Sequence, residues 1–262
     1  MRLKLSAIAP SEYWVNGELN GAFDPRDPGL LSGLSIFETM RTYGTHIFRL
    51  AHHYERLVNS AKVLSITPPS LSEFTQCLCS KAAPNVTLRY LLTGGGQEVI
   101  YRKSLNLNDV GRTIKLGAIT VLDSPTLPGD VKHGSRAEWV LAAQQQGVDE
   151  VLLCSPTDEI LEANRSAFLA VSDGVIRLPP LDRKRLKSVT LGAVLDAISP
   201  LNLDVKSAPI SRTDQFDEAY VVSTLKGISP VISVEGRPIS SPGPIGRQIQ
   251  AAFQALIQAE AP

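Results

Sequence analysis

Net charge, cysteine and long apolar runs are all scarce in this 262-residue chain. Its 26 Lys and Arg are matched by 26 Asp and Glu. No long-range field therefore gathers a polyanion, which argues against a dedicated nucleic-acid or anionic-membrane binder. The three cysteines, Cys77, Cys79 and Cys154, are an odd count with two members nearly adjacent. They offer no disulfide framework and fit a reducing compartment. No window approaches the roughly 20 apolar residues of a spanning helix, and the opening MRLKLSAIAPSEYW lacks the apolar core of a secretory signal. These absences predict a soluble cytoplasmic protein with neither membrane nor nucleic-acid partners. What is present suffices for a core: 43% of residues are hydrophobic, and a chain of this length buries about 70% of its unfolded surface.

Local patterns predict an α+β protein. Asn16-Gly17 suits a two-residue hairpin, and residues 35–42 and 46–48 flank a second turn at Tyr43-Gly44. From Leu50 the period becomes helical, with Leu50, Tyr54, Leu57, Val58, Ala61 and Leu64 on one face. Ser70 and Glu73 announce a capped second helix. Residues 85–93 alternate as a strand into Gly94–Gly96, and 113–122 is again β-rich. Two prolines and a glycine in Asp123–Gly129 mark a linker. The expected domains are therefore 1–122 and 132–262, joined by 123–131. In the second, residues 135–147 read as a helix capped by Ser135 and Glu138. Short strands, an Asp173-Gly174 hairpin, a helix after Ser188 and a closing helix over 244–259 follow.

Most isolated constellations carry little. His52 and His53 are neighbours, which point about 100° apart on a helix, so no metal site is expected from them or from His46 and His133. Gly94–Gly96 lacks the Lys-Ser/Thr of a phosphate loop, and Arg183–Lys187 reads as a solvated loop.

Ordered blocks say more. Gly33–Arg41 (GLSIFETMR), Phe48-Arg49-Leu50, and His53–Leu57 (HYERL) resemble the N-terminal signature of the class-IV aminotransferases. Lys132–Arg136, Asp149–Leu153, Leu161-Glu162 through Phe168, Leu186–Thr190 and Ser223-Thr224 resemble later segments of that family in the same order. The resemblance implies a two-domain fold-type IV enzyme, similar to D-amino-acid aminotransferase. Its smaller N-terminal domain would be α/β and its larger C-terminal domain barrel-like with helices. The implied cofactor is pyridoxal 5′-phosphate, bound as a Schiff base to Lys132, and the implied assembly is a homodimer.

The same resemblance distributes roles. Lys132 is the catalytic residue, since a lysine amine can both attach the cofactor and move protons. Glu162 matches the carboxylate facing the pyridine nitrogen. Arg56, Val189, Thr190 and Thr224 match the phosphate site, where a cation and a helix N-terminus meet an anion. Arg89 and Arg136 are candidates for substrate carboxylates. Ala167 stands where the family usually has asparagine, with Asn164 as a possible substitute, and Leu191 stands where many members have arginine. Within the family, Lys132-His133 with Arg136 resembles 4-amino-4-deoxychorismate lyase, which releases 4-aminobenzoate and pyruvate in folate biosynthesis. The alternative is an amino-acid transaminase, and a third reading is a non-catalytic cofactor-binding member.

Overall fold

A computed structural model describes residues 11–182 and 184–261. It divides into two compact units. One comprises the described residues through Asn106 together with Lys132–Ser135, and the other comprises Leu107–Val131 and Arg136–Glu260.

The first unit holds a six-stranded sheet of β1 (Ser11–Val15), β2 (Glu18–Leu19), β3 (Ser35–Tyr43), β4 (His46–Ile47), β5 (Val86–Thr93) and β6 (Glu98–Ser104). Its order is β2-β1-β6-β5-β3-β4, antiparallel throughout. A short helix, α1 (Pro28–Leu31), precedes β3, and α2 (Leu50–Val63) and α3 (Leu71–Cys79) cover one face. Strand alternation sends Ile36 and Met40 of β3 and Leu88 and Tyr90 of β5 into the core, where they meet Leu57, Ala61, Phe74 and Leu78. The predicted capping box forms: Ser70 accepts from the Glu73 N–H, and the Glu73 carboxylate accepts from the Ser70 N–H.

The second unit is built on β7 (Ile114–Thr120), β8 (Glu150–Cys154), β9 (Ile160–Ala163), β10 (Ala167–Ser172), β11 (Val175–Leu178), β12 (Val205–Ser207), β13 (Glu218–Ser223), β14 (Gly227–Val234) and β15 (Arg237–Pro238). The order β12-β11-β10-β13-β14-β7-β8-β9, with β15 on β14, is mixed. Strand β7 runs parallel to both neighbours. Although β9 and β10 stand far apart in that order, a tight turn and an Ala163–Ser166 bridge join them, so the sheet curls back on itself. Helices α4 (Ala137–Gln146), α5 (Val189–Ile198) and α6 (Pro244–Glu260) complete the unit.

Two expectations need correction. The division does not fall at 123–131. Pairing of β7 with β8 and β14 draws residues 107–122 into the second unit, while 132–135 pair with β3 through an Ile36–His133 bridge. Nor does Ser135 cap α4. Its hydroxyl donates to the Gly33 carbonyl at 3.1 Å, and Arg136 stands at the cap position without a side-chain bond. Gly33 has φ +69°, and a Cβ there would lie 2.5 Å from Ser135 Oγ, so this contact requires glycine. The expected left-handed glycine at the far end of α4 is present, Gly147 at φ 65°.

Candidate active site

In the first unit Lys132 is fastened by its backbone. Its carbonyl accepts from the Phe37 N–H at 3.0 Å, and its N–H donates to Ser60 Oγ at 3.0 Å. The Phe37 ring carries two cations, with Lys132 Nζ 4.8 Å and the Arg89 guanidinium carbon 3.9 Å from its centroid. Arg89 lies opposite Thr39 in the β3–β5 register, which brings it alongside this part of β3. Burial pushes the Arg89 pKa below its ordinary value, partly opposed by Tyr101.

The next residue of β3, Glu38, points to the opposite face and is fully buried. Its carboxylate accepts from Arg56 Nε at 2.8 Å and Nη2 at 2.6 Å, and lies 2.8 Å from His53 Nδ1. Burial alone would raise the Glu38 pKa, but the bidentate guanidinium and His53 hold it well below the usual carboxylate range. Burial in turn pushes His53 down against the pull of Glu38, and the nearby charges of Arg56 and Lys132 reinforce the fall. Arg56 is thus anchored in the core between α2 and β3.

In the second unit Glu162 of β9 is buried and interacts electrostatically with Arg185. Arg185 departs from the solvated-loop expectation. It is 7% exposed and donates to the Pro179 and Pro180 carbonyls. Two successive prolines supply carbonyls without N–H groups of their own, and a buried guanidinium satisfies them. Lys184 does sit at the surface, paired with Asp182 at 3.4 Å, while Arg183 lies outside the described residues.

Helix α5 begins at Val189, with Ser188 Oγ accepting from the Leu191 N–H at 3.1 Å. Thr190 in its first turn is buried, and its hydroxyl lies 3.1 Å from that of Thr224. Two hydroxyls and a helix N-terminus form a donor set suited to an anion. Arg136 Nη1 donates to the Asn164 carbonyl at 3.0 Å, and its guanidinium stacks on Trp139 at 4.7 Å. The Asn164 side chain accepts from the Val151 N–H and donates to the Trp139 carbonyl, so it braces β8 and α4.

Lys132, Arg56 and Arg89 therefore gather in one unit, and Glu162, Val189, Thr190, Thr224 and Arg136 in the other. Glu38, His53 and Phe37 stand inside the recognised motifs, yet only the structure reveals what they touch. Their partners lie across a strand and a helix, where no local period reports them. Among the described residues no three His, Cys, Asp or Glu gather as metal ligands, and no helix is long and apolar enough to cross a membrane.

Each unit carries groups of a kind that a phosphate-bearing carbonyl cofactor uses: the first a lysine fastened by its backbone, the second a buried carboxylate and two hydroxyls at a helix N-terminus. The family described as Amino-transferase class IV matches residues 35–234, and the chain belongs to that family. A Methanocaldococcus jannaschii protein, provisionally named a branched-chain-amino-acid aminotransferase, is 27% identical over 94% of this chain and 96% of its own. D-alanine aminotransferase of Staphylococcus aureus strain N315 is 25% identical over 94% and 98%. In fold, the chain matches the branched-chain aminotransferase of Thermoproteus uzoniensis with a TM-score of 0.86, at 21% identity and 96% coverage of both chains. It matches that of Escherichia coli with 0.82, at 24% identity and 96% coverage of both. The chain is a pyridoxal phosphate-dependent enzyme of fold-type IV, and the chemistry of both donor sets fits that cofactor.

Proposed function

We propose that this enzyme is an amino-acid transaminase, passing an amino group from an amino acid to a 2-oxo acid. The observation that carries this reading is near-full-length similarity to relatives named for transamination. The lyase reading has less support. Arg136, one of the residues that suggested it, is engaged by Asn164 and Trp139.

Bound pyridoxal phosphate supplies a carbonyl carbon that combines with amines and a conjugated ring that accepts the electron pair released at the substrate Cα. In the proposed mechanism the Lys132 amine moves the proton between that Cα and the cofactor's carbonyl carbon. Glu162 keeps a proton on the ring nitrogen. Thr190, Thr224 and the α5 N-terminus around Val189 bind the phosphate; Arg56, whose orientation Glu38 fixes, is by the family resemblance a phosphate cation. Arg89, set against Phe37 beside Lys132, orients a substrate carboxylate.

The proposal extends to a homodimer, which rests on the resemblance and is checked by light scattering, and to a cytoplasmic location, which rests on the cysteine pattern and is checked by cell fractionation. A purified enzyme given an amino acid and a 2-oxo acid should exchange the amino group between them. Turnover of aminodeoxychorismate to pyruvate without such exchange would restore the lyase reading.

A further inference from the structure

Residues 224–226 form the three-residue turn between β13 and β14, closed by Gly227 at φ +67°. Thr224 opens the turn with its hydroxyl on Thr190. Lys226 ends it, and is tied down twice. Its carbonyl accepts from the Gly111 N–H at 2.9 Å, and its ammonium pairs with Glu150 Oε1. Glu150, the first residue of β8, is fully buried. The same oxygen accepts from Ser166 Oγ at 3.0 Å, and the other meets no donor among the described residues. Ser166 closes the β9–β10 turn by its bridge to Ala163, the residue after Glu162.

Drawing an ammonium and a carboxylate out of water is costly, and apolar side chains of similar volume often hold a core as well or better. Stability alone does not account for this pair. Directionality does: the ammonium and the hydroxyl converge on a single oxygen, which ties two separate turns to one point. We propose that Lys226, Glu150 and Ser166 are positioning residues that clamp the Thr224 turn to the β9–β10 hairpin, setting where the Thr224 hydroxyl stands relative to Glu162. This rests on the cofactor roles proposed above for Thr224 and Glu162. None of the three need touch the cofactor; they act through those residues.

The test measures the pyridoxal phosphate Kd by equilibrium dialysis, and apoprotein Tm, for T224A, S166A, E150Q and the volume-matched double variant K226M/E150L. The double variant should keep the wild-type Tm, because no lone charge is left buried, yet bind the cofactor about tenfold more weakly; S166A should lose about threefold, a coupling of the size one network carries. A purely structural pair would give normal Kd wherever Tm is normal. Weakened T224A with wild-type Kd in the double variant overturns the clamp. Should that variant fail to fold, wild-type Kd in both S166A and E150Q overturns it equally. Wild-type Kd in T224A instead overturns the phosphate assignment beneath it.

Discussion

Each unit buries a glutamate against a cation. In the first, Glu38 is saturated: two Arg56 N–H groups and His53 occupy both oxygens. In the second, Glu150 holds Lys226 and Ser166 on one oxygen, and the other meets no donor among the described residues. A forked guanidinium–carboxylate contact fixes orientation as well as distance, whereas an ammonium fixes a point. Aiming a guanidinium needs the fork, and pinning a turn needs only the point. Damage to the first cluster should therefore be structural and large, and damage to the second local and graded.

Lys132 stands outside this contrast, since it meets Phe37 through its side chain while its backbone carries the strand contacts. K132A should lower transamination by about a thousandfold, shift the cofactor's near-visible absorbance from that of the lysine-linked form to that of the free aldehyde and leave Tm nearly unchanged. Activity within tenfold of wild type would remove Lys132 from its role.

R56A should next cost about 3–5 kcal/mol of stability, because it strands a buried carboxylate, and it should release the cofactor. R56K, keeping charge but not the fork, should restore only part of both. Thermal unfolding and dialysis would separate these effects. Equal loss from R56A and S166A would erase the contrast between the units.

The pH profile sharpens it further. His53 has a folded pKa below its ordinary value of about 6.5, so the unfolded chain binds a proton that the folded one excludes. Stability should thus fall as pH drops below about 6.5, by at most about 1.4 kcal/mol per unit from this group. H53N should flatten that slope in Tm against pH. Glu38, held low, acts further down the scale. Its contribution is complete above its ordinary value of about 4.5 and is lost progressively from there as pH falls towards and through its depressed folded value. The smallest effect belongs to S188A, which removes the α5 cap and should cost about 1 kcal/mol with a modest rise in cofactor Kd.

Much of the fold was legible because its signals are local. The Ser70–Glu73 box, the Asn16-Gly17 hairpin and the alternation of β5 each depend on residues a few positions apart in the chain. Ser135 carried the same local signal and did otherwise, because the Gly33 carbonyl competed for its hydroxyl. Arg185 read as solvated for the same kind of reason: charge is written in the sequence, but the proline carbonyls it satisfies become partners only in the folded chain. Lys132, Arg56 and Glu162 could be picked out by motif order alone, whereas Glu38 needed the strand-to-helix contact to give it meaning.

The most direct test is a single half-reaction. Holoenzyme mixed with a panel of amino acids, and no acceptor, should release one equivalent of 2-oxo acid per subunit from its substrate while the cofactor converts to its amine form. Adding a 2-oxo acid should then reverse that conversion. A cofactor unchanged by every amino acid, with continuous pyruvate release from aminodeoxychorismate, would contradict the account.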